Sequence, residues 1–118
     1  MLIEMPLPPQ ELAPNARSHY MKKARATKMY RTCAMVRGHE QRTDDCPFEA
    51  ADVFVTFFVR DKGRRDRDNL LASLKSAFDG IADAGIVRDD ANFTYYPVGI
   101  EVDRENQRVE IRIERTAQ

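Results

Sequence analysis

The 118-residue sequence predicts an α+β fold with α/β-like alternation: a small mixed β-sheet and two main helices, in the order β-α-β-α-β-β. Three observations predict it. The run Val53-Phe54-Val55-Thr56-Phe57-Phe58-Val59 is β-branched and aromatic, as suits a central strand buried on both faces. Stretches on either side of it place apolar residues at three- and four-residue steps, the helical period. Near the end, Val109, Ile111 and Ile113 alternate with charged residues, the period of a strand. The length fits one domain, residues 1–118, with a modest core.

Leu2-Ile3-Glu4-Met5 reads as an edge strand that stops at Pro6, and Pro8-Pro9 keep the next segment extended. Pro14-Asn15 predicts a helix start, with Asn15 as cap. The helix runs from Ala16 to about Arg37, carries a broken apolar stripe through Tyr20, Ala24, Met29 or Thr27, Tyr30, Ala34 and Met35, and stops at Gly38. Asp61 to Arg65 is a charged loop after the central strand. Asp68 is the predicted cap of a second helix whose buried face is Leu70, Leu74, Ala77, Phe78 and Ile81, and Gly85 ends it. Tyr95 to Val102 and Arg108 to Ile113 read as two strands joined in a hairpin through Asp103-Arg104-Glu105-Asn106.

Composition narrows the function. An apolar share of 42% suits a globular fold, and a net charge of zero means any nucleic-acid case must come from local clustering. Cys33 and Cys46 stand at no metal-ligand spacing and read as reduced thiols of a cytoplasmic protein. Met1 to Pro9 lacks the basic and long apolar parts of a signal peptide, and no run approaches the ~20 apolar residues of a membrane span. No Gly-rich phosphate loop, nucleophilic serine motif or cysteine–histidine pattern is present, which argues against a nucleotide cofactor and against acyl transfer. His19 and His39 have no partners at useful spacing and stay outside the site. Tyr95 and Tyr96 suit base stacking or, one of them, the core.

The chemistry gathers between Arg64 and Asp90. Asp66 and Asp68 lie two apart where an extended segment meets a helix, so both carboxylates can face one ion. On a continuous helix Asp68, Lys75 and Asp79 share a stripe, because offsets of seven and eleven return to within roughly 20° of the start. Asp79 then lies about 16 Å along the axis, too far to share a metal with Asp68. Asp89 and Asp90 come back toward Asp66 and Asp68 after the chain reverses at Gly85. Crowded carboxylates repel unless a cation separates them, and an all-oxygen set selects a hard ion, Mg²⁺ or Mn²⁺. Simpler roles compete: Asp68 as a cap, Lys75 with Asp79 as a surface pair, Asp89-Asp90 as a turn. Basic residues supply the other half of the pattern. No acid stands between Arg17 and Arg37, a span holding Lys22, Lys23, Arg25, Lys28 and Arg31, and Arg60, Lys62, Arg64, Arg65 and Arg67 form a second cluster. Both suit contact with a phosphate backbone.

The segment Arg64-Arg65-Asp66-Arg67-Asp68-Asn69-Leu70, followed by Lys75, Asp79-Gly80-Ile81, Ala84-Gly85-Ile86 and Asp89-Asp90-Ala91, resembles the RusA family of Holliday junction resolvases. Pro8-Pro9 and Pro14-Asn15-Ala16-Arg17 resemble the family's amino-terminal motif, so the likeness covers nearly the whole chain. It implies a Mg²⁺-dependent endonuclease, often prophage-borne, that acts as a homodimer on DNA four-way junctions in recombination and repair within a bacterial or phage-infected cell. It implies Asp66, Asp68 and Asp90 as metal-binding catalytic carboxylates, Lys75 as the site lysine and Arg65 as a phosphate contact. Arg64, Arg67, Arg17, Lys22 and Lys23 are the further DNA-binding candidates. One departure concerns spacing: the family's lysine follows the second aspartate by one helical turn, a place held here by Ala72, with Lys75 three residues on. Two other readings use the same residues, a nuclease for other branched DNA and a non-catalytic DNA-binding module. A phage scaffold or regulatory protein is a further reading, with neither activity.

Overall fold

A computed structural model describes residues 1–117. Its sheet is built around β2 (Ala51–Val59), the central strand expected from the aromatic and β-branched run. β5 (Arg108–Arg115) lies antiparallel along one side, pairing Val53 with Ile113, Val55 with Ile111 and Phe57 with Val109. Outside it, β1 (Leu2–Met5) is the expected edge strand, paired only with β5. On the other side β3 (Phe93–Tyr95) and β4 (Gly99–Val102) both run parallel to β2. The sheet is therefore mixed, as predicted.

Two expectations about this sheet are corrected. Tyr95 to Val102 is not one strand: the segment around Pro97, which has no N–H to donate, separates β3 from β4. Asp103 to Asn106 is not a hairpin loop either, because β4 and β5 flank β2 on opposite sides and the loop passes over its end. Asp103 holds the loop in shape, accepting from the amides of Glu105 and Asn106 at 3.0 Å each and from Arg108 at 2.9 Å.

Alternate residues of β2 (Ala51, Val53, Val55, Phe57 and Val59) are buried and meet Ile3, Met5, Val109, Ile111 and Ile113 in the core. Each large aliphatic or aromatic side chain there contributes about 2 kcal/mol over its exposed state. The opposite face of β2 is only half-buried, so the strand is not enclosed on both sides. There Phe54 stacks on Tyr96 with ring centres 4.5 Å apart, and the guanidinium groups of Arg112 and Arg108 lie over Phe54 and Phe58 at 4.3 and 3.8 Å.

The first helix, α1 (Tyr20–Gln41), starts and ends later than predicted. Pro14-Asn15 forms a tight turn, closed by the Ala16 amide donating to the Ala13 carbonyl at 3.0 Å. The cap is His19, whose Nδ1 accepts from the Met21 amide at 3.2 Å. Of the predicted stripe only Tyr30 and Ala34 are buried; Tyr20 and Met29 are 76% and 72% exposed. Gly38, expected as the stop, is instead a buried part of the helix. It replaces the missing apolar residues with a different device, close approach.

The second helical stretch is two helices, α2 (Arg67–Ala72) and α3 (Lys75–Asp83). Between them the turn tightens: Leu74 donates to the Leu71 carbonyl at 3.0 Å, and Ser73 Oγ donates to the Leu70 carbonyl at 2.6 Å. Asp66, not Asp68, is the cap of α2. Leu74, Ala77, Phe78 and Ile81 are buried as predicted, with Leu70 half-buried, and Gly85 follows α3 with φ of +81°, the left-handed conformation expected of a terminal glycine. No helix among the described residues is long and apolar enough to cross a membrane.

The two long helical segments cross at glycine. A Cβ on Gly80 would lie 2.1 Å from the Arg31 carbonyl oxygen and 3.0 Å from Ala34 Cβ, so α1 touches α3 backbone to backbone. A Cβ on Gly38 would meet only Ala84 Cβ tightly, at 3.2 Å. Gly80→Ala is therefore expected to lower the unfolding free energy by about 3 kcal/mol through overpacking. Gly38→Ala should stay within about 1 kcal/mol of the parent, since helix propensity offsets the milder contact. Urea denaturation of both variants checks the order; equal losses would place the tight crossing elsewhere.

Candidate active site

Arg65 closes the charged loop before α2 by donating from Nη1 to the carbonyls of Asp61 and Gly63 at 3.0 and 2.7 Å, and it pairs with the Asp61 carboxylate at 3.2 Å. Arg67 Nε donates to the Val98 carbonyl at 3.0 Å, tying α2 to the segment before β4. Both arginines therefore brace the backbone, whereas Arg64 is exposed and makes no such bond among the described residues. Together they line a cavity of about 590 Å³ that faces Ile100, Glu101 and Val102.

Asp66 sits where this loop becomes α2. Its Oδ1 accepts from the amides of Asp68 and Asn69 at 2.9 and 3.1 Å, satisfying two amides that no helical turn precedes. Both bonds use one oxygen, leaving Oδ2 outside the cap. Asp68, in the first turn, is exposed and sits favourably at the positive end of the helix.

Lys75 opens α3, and its ammonium bridges two carboxylates: Asp79 Oδ1 at 2.8 Å, one turn along, and Asp90 Oδ2 at 2.5 Å, fifteen residues on. Asp90 begins a 3-10 turn (Asp90–Asn92) for which Asp89 is the cap, accepting from the Ala91 amide at 2.9 Å. Of the adjacent pair, Asp89 thus serves the local turn and Asp90 faces Lys75. The hydrogen bonds that Lys75 donates to Asp79, and then to Asp90, hold its pKa above the ordinary value. Lys75 in turn, and then Asp79, hold the Asp90 carboxyl below the ordinary carboxylate range.

The bridge extends onto α1 through Arg31, which the sequence marked only as one of a run of basic residues suited to a phosphate backbone. Arg31 donates to both oxygens of Asp83 at 2.6 and 2.9 Å and lies 4.0 Å from Asp79. Asp79, Asp83 and Arg31 therefore belong to the same network. The four-residue step from Asp79 to Asp83 on one helix face was the available signal; the partner on α1 had none. Tyr95 also faces this network: burial, then the negative charge of Asp90, pushes its phenol pKa up.

The structure unites Lys75 with Asp90, while Asp66 and Asp68 stand at the start of a different helix. The continuous stripe expected for Asp68, Lys75 and Asp79 is broken by the α2–α3 turn and survives only between Lys75 and Asp79. Among the described residues no three carboxylate, histidine or cysteine side chains gather closely enough to hold a metal. The donor chemistry nevertheless fits a hard divalent ion. Asp79 and Asp90 already share one cation, the Lys75 ammonium, and Asp66 and Asp68 offer further oxygens free of nitrogen or sulfur competitors. Arg17, Lys22 and Lys23 are exposed; Arg17 lies in the extended lead-in to α1, and Lys22 and Lys23 lie in its first turn.

The Asp90 carboxyl is expected to titrate below a free aspartate, keeping the α3-to-turn link intact at neutral pH and losing it as pH falls through that lowered value. Lys75, shifted upward, stays charged throughout that range. Side-chain carbon NMR on the parent and on Lys75→Met measures this. The Asp90 midpoint should rise in the variant, and an unchanged midpoint would remove the bridge as its cause.

No family model matches the chain. It is similar to a protein of Xylella fastidiosa (strain Temecula1 / ATCC 700964) described as uncharacterized, with 35% identity over 100 residues. The match takes in 81% of this chain and 64% of that protein, so the chain spans less than two thirds of its relative's length.

Proposed function

We propose that the protein is a divalent-metal-dependent endonuclease for branched DNA, with four-way junctions as its substrate, in the manner of the RusA family it resembles. The observation that carries the reading is the Lys75–Asp90 bridge: charges from two distant stretches meet beside a helix whose exposed first turn holds Lys22 and Lys23. Asp66, Asp68 and Asp90 would hold Mg²⁺, or Mn²⁺ in its place. When bound, such an ion neutralises phosphate charge and makes water a better nucleophile at neutral pH.

The chain's own residues supply the rest. Lys22, Lys23, Arg17 and Arg64 bind the backbone and set its course across the site. Asp90 holds Lys75 in place before the substrate arrives. Lys75 then donates to the oxygen on which charge grows as the phosphorus–oxygen bond breaks, and its firmly held proton keeps it cationic throughout. Water oxygen bonds to phosphorus as the 3′ oxygen leaves, so the products are a 5′-phosphate and a 3′-hydroxyl. A C₂ homodimer would present two such sites to opposing strands of a two-fold junction. The setting on this reading is recombination and repair in the cytoplasm of a bacterium or its phage-infected counterpart.

One observation favours a second reading, a non-catalytic DNA-binding module: Asp66 already has work as the cap of α2. The two readings part over metal and cutting. Incubation of the protein with labelled four-way junction and linear duplex, with and without Mg²⁺, is expected to give paired nicks on the junction alone and only with the metal. Asp68→Asn removes a charge without removing the helix cap, so it should bind the junction but cut at least about a hundredfold more slowly. Binding without cutting by the parent selects the module, equal cutting of duplex removes the junction specificity, and full activity in Asp68→Asn removes the metal assignment.

A further inference from the structure

The cavity of about 590 Å³ between the charged loop, the start of α2 and β4 has two unlike walls. One is cationic: Lys62, Arg64, Arg65 and Arg67 stand there against two carboxylates, Asp61 and Glu101, in a chain whose net charge is zero. These charges are not equally available. Arg65 is locked by the carbonyls of Asp61 and Gly63 and by the Asp61 carboxylate, and Arg67 by the Val98 carbonyl. Asp61 is itself occupied, accepting from the Gly63 amide at 2.8 Å as well as from Arg65. Lys62 and Arg64 are exposed and make no hydrogen bond or ion pair among the described residues, so their donors are open to a ligand. The other wall is aliphatic. Ile100 is half-buried at the margin of the core, and Val102 is 39% exposed on β4, which has a strand on one side only. The volume lies within the roughly 300–1,000 Å³ that small-molecule sites occupy.

We infer that this cavity takes one unpaired nucleotide, with its phosphate on Lys62 and Arg64 and its base against Ile100, Val102 and the guanidinium plane of Arg65. A bare phosphate would use only the cationic wall, and an apolar ligand only the aliphatic one. A nucleotide carries both, a charged group at one end and a flat ring at the other. The locked Arg65 suits the ring: its bonds to Asp61 and Gly63 lie in the plane of the guanidinium, whose face remains for stacking. Glu101 makes no ion pair among the described residues and can accept the N–H that each base carries on its pairing edge. Base pairing hides that edge and duplex stacking hides the ring face, so paired DNA fills the cavity poorly. The source of the nucleotide rests on the reading of branched DNA as substrate, under which it is a residue left unpaired at the branch. A free nucleotide has the same chemistry, and the test separates the two.

The test uses no metal and no cutting. Nitrogen-15-labelled protein in EDTA is titrated with octathymidylate, with an abasic strand of equal length, with a hairpin duplex, with thymidine 5′-monophosphate and with octaglutamate. The amides of Gly63, Arg64, Ile100 and Val102 are expected to move with octathymidylate, which should bind about fivefold more tightly than the abasic strand. Arg64→Gln should weaken both strands about tenfold, as loss of a bond between charged groups does. Val102→Thr keeps the shape and the strand propensity but removes apolar contact, so it should cut the preference for bases about threefold. Both residues are exposed, and both variants should melt with the parent. Movement of the same amides with the monophosphate but not with the strand supports the cavity and assigns it a free nucleotide. Equal affinity for the abasic strand, equal affinity for the hairpin, or an unchanged preference in Val102→Thr overturns the inference. So does octaglutamate moving these amides as strongly, which would mark a site for an acidic peptide, or their failure to move at all. A protein that never nicks DNA can still prefer bases here, and an active nuclease can lack the preference, so this result and that of the cutting assay are independent.

Discussion

The backbone contact between α1 and α3 at Gly80 is the constraint on which the site depends. With no side chain between them, the helices come close enough for Arg31 to reach both Asp79 and Asp83. The same approach brings Lys23 to the cavity beside Lys75. A larger residue would push α1 outward, separating the basic helix from the acidic end of α3. Exposed ion pairs cannot enforce such a geometry themselves, since each is worth only ~0.5 kcal/mol. Packing sets the distance, and the charges exploit it.

This division explains what could be read from sequence and what could not. β2, the edge strand β1, the buried face of α3 and the terminal glycine Gly85 were legible because each is written in local periodicity or in a backbone conformation. Gly38 was misread as a stop because its role depends on Ala84, which lies far along the chain. The start of α1 was misplaced because Pro14-Asn15 suits a tight turn as well as a cap. Nothing in the string from Asp68 to Asp79 marks the α2–α3 break with glycine or proline. It comes from Ser73 bonding back to Leu70, which competes with the regular helical ladder. The crossing of β4 to β5 was hidden for a similar reason, since parallel pairing leaves no local trace.

The candidate site divides along the same line. Lys75 and Asp90 both stand out in sequence as charges around a chain reversal, and their bond joins them across fifteen residues. Which of Asp89 and Asp90 turns toward the lysine depends on the cap that Asp89 makes, a three-dimensional choice. Arg65 and Arg67 look like phosphate contacts in one dimension, yet Arg65 gives Nη1 to two backbone carbonyls and Arg67 gives Nε to one. A basic residue next to acidic ones is therefore weak evidence for ligand contact until its partners are known. Arg64, Lys22 and Lys23 keep that availability.

The α2–α3 break has a consequence beyond register. The break places a second helix start, that of α3, in the middle of the charged region. A lysine is poorly placed at such a start, because the helix end and the ammonium carry the same sign. Asp79 and Asp90 offset that repulsion by gripping the ammonium from two sides. The result is a lysine held between two carboxylates, with a second lysine lining the neighbouring cavity. Lys75 thus ties the start of α3 to the turn at Asp90, while Asp79 carries the network on to Arg31 of α1.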